Sequence, residues 1–297
     1  MMVLVTGGAG FIGSHLVERL VSLNHTVYVI DDLSNGFEEN LSKIRHKIVL
    51  VKHDVSEPFP NGHPSNLDVI FHLACHPRSL SFQNPYRDVD VNVKGTIHMA
   101  RIAQESKAKI IFSSNSGIYD CSKIPVSEQN PDSPRTPYDL NKLTAENYLK
   151  LYDVSHTIFR FGTVYGPRQR TSQNWKPVIA EFIDKLSKNR SPTISGDGKQ
   201  TRDFVYVGDV VDALVKSIDA ETEGPIILGS GVETSINKLY EMISKALGVN
   251  TLPTFSPSPQ GEIMRMRYDC KKARDVLNWK AKNSLKEGIA KTLEASR

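Results

Sequence analysis

The chain has 297 residues, 39% hydrophobic and 24% charged, with a formal net charge of +4. That length buries a large core, enough for one large α/β domain or a domain with an appended lobe, while the small, scattered charge does not suggest a nucleic-acid binder and no apolar stretch is long enough to span a bilayer. Three well-separated cysteines (Cys75, Cys121 and Cys270) and nine histidines without ligand spacing argue for free thiols of a reducing cytoplasm, with neither a disulfide frame nor a metal site.

Strands are predicted at 2–6, 26–30, 47–51, 68–73, 109–113 and 156–161, with helical patterns near 12–23, 36–44, 84–105 and 138–152. Regular alternation of this kind predicts a doubly wound parallel sheet of the Rossmann type, with helices on both faces. Val69-Ile70-Phe71 and Ile110-Ile111-Phe112 are continuous apolar runs, as in strands covered on both sides. The first strand starts at residue 2 or 3, which leaves no room for a signal peptide.

After residue 165 the elements shorten and the loops become rich in Pro, Gly, Ser and Asn. Helices are expected near 174–188, 209–219, 235–247, 271–277 and 284–295, strands near 204–207 and 225–229, and a loop over 251–261. The expected organisation is a Rossmann domain over 1–165, with returning segments near 203–229. A smaller, interleaved C-terminal substrate lobe makes up most of 166–297.

Val3-Leu4-Val5-Thr6-Gly7-Gly8-Ala9-Gly10-Phe11-Ile12-Gly13 reads as strand, tight turn and helix start. Gly7 and Gly8 allow the turn, Gly10 admits a pyrophosphate close to the backbone, and Gly13 lets helix and strand pack tightly. The helix N-terminus offers unpaired N–H groups and a partial positive charge to that diphosphate. The second predicted strand ends in Asp31-Asp32, and Asp31 follows Gly13 by eighteen residues. An acid there accepts from the ribose hydroxyls of NAD and repels the 2′-phosphate of NADP.

Tyr138-Asp139-Leu140-Asn141-Lys142 sets a tyrosine and a lysine four apart, on one helix face. An ammonium beside a phenol favours phenolate, so Lys142 is expected to lower the Tyr138 pKa. Such a tyrosine can take a proton from a sugar hydroxyl while a nicotinamide oxidises the same carbon. The lysine can also bind the nicotinamide ribose.

Thr6 to Leu16, Phe71-His72-Leu73-Ala74, Tyr138 to Lys142, Val164 to Gln169 and Gly196-Asp197-Gly198 to Val205 occur in this order along nearly the whole chain. Together they resemble the extended short-chain dehydrogenase/reductases, and within them the NAD-dependent nucleotide-sugar epimerase/dehydratase family. The resemblance implies cofactor contacts at Phe11, Ile12, Asp32 and Asn35. It also implies an adenine-binding pair at Asp54-Val55, a cleft lined by Phe71, Leu73 and Ala74, and a supporting Asn92. Phe161 and Gly162 would border the nicotinamide. Arg202 matches an arginine that grips the substrate diphosphate, its fork suited to paired oxygens, and Glu262 an acidic substrate-site position. The resemblance further implies a homodimer built on the helices near 84–105 and 138–152.

Two positions depart from the family pattern. Asn115 stands where a catalytic Ser or Thr is usual; its amide can hydrogen-bond a sugar oxygen but cannot relay a proton. Ser114 and Ser116 are the alternatives for that hydroxyl. Thr163 stands where many relatives have asparagine near the substrate phosphates. Dehydratases carry an Asp-Glu pair after the catalytic hydroxyl and decarboxylating relatives a glutamate at the position of Gly117; here Ser116 and Gly117 occupy those places.

With neither carboxylate, 4-epimerisation is the simplest remaining chemistry. It oxidises C4, turns the 4-keto sugar and reduces it from the opposite face. The leading expectation is UDP-glucose/UDP-galactose as substrate. UDP-glucuronate epimerisation or decarboxylation, dTDP-sugar dehydration and a catalytically weakened NAD-binding protein remain alternatives. Arg78 in the loop after the fourth strand could meet a sugar carboxylate or phosphate, and His76 beside it is a weaker candidate acid. Trp175 could stack on a base or sugar, or pack in a core.

Overall fold

The computed structural model describes residues 1–59, 64, 66–171, 176–258 and 262–295. Its elements in chain order begin with β1 (Met2–Thr6), α1 (Phe11–Ser22), β2 (Thr26–Asp31), β3 (Ile48–Lys52), β4 (Val69–His72), α2 (Pro85–Val89), α3 (Gly95–Ser106), β5 (Lys109–Asn115) and α4 (Pro137–Leu151). They continue with β6 (His156–Phe161), β7 (Thr163–Tyr165), α5 (Val178–Ser187), β8 (Thr193–Ser195), β9 (Thr201–Tyr206), α6 (Val207–Lys216) and β10 (Ile226–Leu228). The chain closes with β11 (Glu233–Ser235), α7 (Ile236–Leu247), β12 (Thr254–Ser256), α8 (Lys271–Leu277) and α9 (Leu285–Glu294). The predicted helix near 36–44 is instead a run of 3₁₀ turns over Glu38–Lys47.

The chain divides into two compact units. The first comprises Met1–Ile118, Asp132–Phe161 and Val211–Ile226. It carries β6-β5-β4-β1-β2-β3, paired in parallel throughout, six strands of a seven-stranded sheet whose edge strand β10 begins at this unit's last residue, Ile226. Strand order reverses beside β1: the chain runs outward to β2 and β3, then returns to β4 on the other side. That reversal opens the crevice in which doubly wound sheets take their ligands. Leu4, Ile30, Ile70, Ile110, Phe112 and Ile158 of the strands pack with Met99, Ala100 and Ala103 of α3 and Ala145 and Leu149 of α4 in one buried cluster. The apolar runs of β4 and β5 are therefore covered, as their lack of alternation predicts.

Local signals account for the helix starts. Asn84 caps α2, its Oδ1 accepting from Arg87 N at 3.1 Å, with Pro85 in the first turn. Thr136 caps α4, its Oγ1 accepting from Asp139 N at 3.1 Å, with Pro137 following. A single π-turn, Asp90–Lys94, joins α2 to α3 and carries Asn92. Such turns recur at functional sites.

The second unit comprises Tyr119–Pro131, Gly162–Val210 and Ile227–Arg297. Its three-stranded sheet, β11-β9-β7, pairs β9 antiparallel to β11 and parallel to β7, and β12 lies parallel to β8. Tyr165, Phe182, Ile194, Phe204, Leu239 and Ile289 form its core. Ser235 caps α7, Gly248 ends it at φ 68°, and a reciprocal Ser284–Glu287 capping box starts α9. Strand β12 falls within the stretch predicted as loop. Trp175, Gln260 and Gly261 lie outside the described residues. No disulfide joins the three cysteines, and among the described residues no helix is long and apolar enough to cross a membrane.

Candidate active site

The glycine-rich turn between β1 and α1 is shaped for close backbone approach. Gly7 has φ 69°, and a Cβ there would lie 2.8 Å from Ala74 N. A Cβ at Gly13 would collide with the Gly7 carbonyl oxygen, so no side chain fits where helix and turn meet. Helix α1 begins at Gly10 with no side-chain cap and no acid in its first turn, leaving its N–H groups and positive end for an anion. Asn40, which the sequence reading did not single out, braces the turn by donating from Nδ2 to the Ala9 carbonyl at 2.8 Å.

Asp31 ends β2 and is 6% exposed. Its carboxylate accepts from Ala9 N and from Leu33 N, each at 2.9 Å, tying the strand end to the glycine turn. Burial holds this carboxyl above the usual aspartate value, and the Leu33 and Ala9 N–H groups oppose that shift. A carboxylate has about four acceptor positions, so these bonds leave capacity for hydroxyl donors. Asn35 is exposed in the loop that follows, and Phe11 and Ile12 begin α1. Val55 is buried against Gly95, Leu73 is buried and Ala74 half-buried beside the glycine turn.

Asp32 and Asp54 lie just after β2 and β3 in matching turns. Asp32 Oδ1 accepts from Ser34 N and Oγ, and Asp54 Oδ1 from Ser56 N and Oγ. Each turns its other oxygen to Arg87 of α2, at 3.1 Å for Asp32 and 2.7 Å for Asp54. At Asp54, burial raises the carboxyl pKa but the Ser56 and Arg87 hydrogen bonds outweigh it, and the net shift is downward.

Asn92 accepts from His76 N at 3.3 Å and donates to Asp88 at 3.0 Å; Asn141 of α4 donates to the other Asp88 oxygen at 2.6 Å. Asn92, expected to support the site, is thus joined to α4 through a buried Asp88 that the sequence reading missed. His72 is fully buried between Thr6 Oγ1 at 2.7 Å and Thr96 Oγ1 at 3.1 Å; burial first, and then the Lys142 charge, lower its pKa to about 3.

Tyr138 and Lys142 occupy one face of α4. Lys142 is 1% exposed, and its Nζ sits 4.6 Å from the Phe112 ring centre and 5.8 Å from that of Tyr138, with no hydrogen-bond partner among the described residues. Burial lowers the Lys142 pKa. Tyr138 does not show the lowering expected of it. Burial first, then the Cys75 thiol hydrogen-bonded beside it and the Asp139 and Asp88 charges, hold the phenol well above its ordinary value. Desolvation of a phenolate outweighs one neighbouring ammonium in the protein alone.

The turn after β5 commits its polar groups to the scaffold. Ser114 donates to Glu146, which also accepts two Arg160 hydrogen bonds at 2.9 and 2.7 Å. Ser116 donates to the Phe161 carbonyl at 2.7 Å. Asn115 donates to the buried Asp139 and accepts from Gly117 N at 3.0 Å. Ser114, one of the two serines offered for the catalytic hydroxyl, thus donates its proton to a buried carboxylate, and Ser116 donates its own to a backbone carbonyl. Arg78, a candidate for an anionic sugar, grips Asp139 through Nε and one terminal nitrogen, both at 3.1 Å. His76 lies beside Asp88 and Asn92, its Nε2 buried without a hydrogen-bond partner among the described residues.

In the second unit, Arg202 donates to the Thr201 and Ile263 carbonyls at 2.8 and 2.7 Å and pairs with Glu262, which brings two of the predicted substrate residues together. Thr163 lies on β7, paired with Phe204 of β9. The glycine cradle, the open α1 N-terminus and the unpartnered buried Lys142 ammonium all suit a dinucleotide with a diphosphate and ribose hydroxyls.

Fold and site together define a dinucleotide-binding α/β enzyme with a Tyr–Lys pair. The sequence pattern of the NAD dependent epimerase/dehydratase family matches residues 3–229. The UDP-glucose 4-epimerase of Mycolicibacterium smegmatis is 39% identical over 310 residues, covering 100% of this chain and 99% of that protein. UDP-glucuronic acid decarboxylase 1 of Arabidopsis thaliana is 33% identical, covering 100% of this chain and 70% of that one. The crystal structure of the Thermotoga maritima UDP-glucose 4-epimerase with UDP-glucose superposes at a TM-score of 0.93 and 31% identity, covering 100% and 99% of the two chains. The chain belongs to the NAD-dependent epimerase/dehydratase family, and NAD is its cofactor.

Proposed function

We propose that this enzyme interconverts the C4 epimers of a UDP-sugar, with UDP-glucose and UDP-galactose as the leading pair. The carrying observation is the Asn115-Ser116-Gly117 turn facing the first turn of α4: the two positions after Asn115 bear no acid or base. The family's dehydratases and decarboxylases carry carboxylates at these positions, whereas epimerisation calls for none beyond the Tyr138 base. The names of the Mycolicibacterium and Thermotoga relatives support the same reading.

Tyr138 serves as the base that takes the sugar hydroxyl proton and returns it. Lys142 holds the nicotinamide ribose, giving its unpartnered ammonium the acceptors it lacks. NAD held by these residues would supply the reversible oxidation of the sugar carbon, and its positive charge would favour the Tyr138 phenolate that burial disfavours in the protein alone. Asp31 receives the adenosine ribose and Asp54 with Val55 the adenine. Asn115, held by Asp139 and Gly117, keeps one amide N–H for the sugar. Arg202, oriented by Glu262, grips the diphosphate of the substrate. Phe82, Tyr86, Val89 and Leu140, at or on α2 and α4, are large apolar side chains left 46–84% exposed, which suits a homodimer through these helices. A single monomeric species by sedimentation at micromolar concentration would overturn that part.

The test is NMR product analysis with UDP-glucose, UDP-galactose, UDP-glucuronate, UDP-N-acetylglucosamine and dTDP-glucose. C4 epimers without loss of water or carbon dioxide are the expected products; a pentose or a 4-keto-6-deoxy product overturns the reading. Tyr138→Phe is expected to lower turnover by ~10²–10⁴-fold while NAD stays bound.

A further inference from the structure

Arg87 makes a three-way clasp. One terminal nitrogen meets Asp32 at 3.1 Å; the other meets Asp54 at 2.7 Å and Ser56 Oγ at 3.1 Å. The three charged side chains are each about 30% exposed, so water screens them only in part. Both acids already use their second oxygen to close their own turns, so the guanidinium joins the turn after β2 to the turn after β3. No lysine could do this, because its single ammonium lacks the planar fork that spans two carboxylates. The next residue, Asp88, holds Asn92 and the α4 residue Asn141, one position before Lys142. Two adjacent residues of α2 thus tie the strand ends carrying the acids to the helix carrying the Tyr–Lys pair.

We infer that Arg87 is a positioning residue for the adenosine half of the dinucleotide: it ties the turn after β2 to the turn after β3, and its single positive charge offsets one of the three acidic charges gathered at that end. Without it, Asp31, Asp32 and Asp54 would face a doubly negative diphosphate with no compensating cation among them. The clasp also presents the Asp54 backbone and Val55 in one arrangement, so the adenine meets a preformed slot.

The inference rests on the adenosine end lying at Asp31 and Asp54, as proposed above. It is tested by calorimetry on cofactor-stripped protein with NAD and with AMP as ligands. Arg87→Gln is expected to weaken both by about tenfold or more, with Arg87→Lys in between. Lys142→Met serves as the control at the other end, losing NAD affinity while keeping that for AMP. Arg87→Gln is expected to keep the parent's affinity for nicotinamide mononucleotide, the other half of the cofactor; an equal loss for that half would mark a general loosening of the fold and overturn the inference. Unchanged AMP affinity in Arg87→Gln overturns the inference. If that variant does not fold, Arg87→Lys decides: a loss of about threefold or more for AMP supports the clasp, and none overturns it. Asp31→Ala run alongside distinguishes the premise: if it too leaves AMP binding untouched, the placement of the adenosine end is what fails.

Discussion

The ammonium of Lys142 stands 5.8 Å from the centre of the Tyr138 ring, buried and with no hydrogen-bond acceptor among the described residues. A buried cation without acceptors is costly in the protein alone and is tolerated where a ligand completes it. Lys142→Met is therefore expected to leave the cofactor-stripped protein as stable as the parent or more so, while NAD affinity falls by about tenfold or more. Thermal melting of stripped protein and calorimetric titration give the two readings. A lower melting point with undiminished NAD affinity would show that Lys142 is a scaffold residue.

Asn115 and Asp139 are joined in the same way as scaffold and site. Asp139 is fully buried and also holds Arg78, so removing the Asn115 amide leaves it one donor short. Asn115→Ala should cost about 1–3 kcal/mol in denaturant unfolding. Asn115→Asp should cost more at pH 7, because it sets two carboxylates face to face. Parent-like stability of Asn115→Ala would mean that the Asn115–Asp139 bond contributes nothing.

Asp31 is expected to set a preference for NAD over NADP. Its carboxylate is held toward the glycine turn by Ala9 and Leu33, where a 2′-phosphate would meet a fixed negative charge. Reconstitution of stripped protein should favour NAD by about tenfold or more, and Asp31→Asn should narrow that ratio. Equal affinity of the parent for both dinucleotides would remove this role.

His72 carries a pH signature. Its imidazole is neutral in the folded protein, with a pKa near 3 against 6.5 when unfolded, because burial and then Lys142 disfavour the cation. The unfolded chain therefore binds the proton more readily. Stability from this group is fully present above about pH 6.5 and is lost as pH falls from 6.5 toward 3. The imidazole signals should hold their positions between pH 8 and pH 5 in an NMR titration. A midpoint near the ordinary histidine value would show that the ring is not buried as a neutral bridge between Thr6 and Thr96.

The glycine turn, the acid at the end of β2 and the Tyr–Lys pair of α4 were all legible in the sequence. Each is a local pattern: glycines where the backbone bends, apolar residues at strand or helix period, and two side chains four apart on one helix. For the same reason β7, β8, β11 and β12 escaped full notice, since three residues are too few to show alternation. What tertiary structure alone decided is which polar group spends itself on which. Ser114 and Asn115 are neighbours on β5, yet one is committed to Glu146 and the other to Asp139, because successive strand side chains meet different turns of α4. Arg87 reaches Asp32 across 55 positions of chain and leaves no trace in any local window. The shift of Tyr138 ran against the sequence expectation because spacing reports the neighbouring lysine but not the burial that outweighs it. Backbone conformation is set largely by neighbours along the chain; desolvation and ion pairing depend on neighbours in space, and those exist only once β5, α2 and α4 have packed.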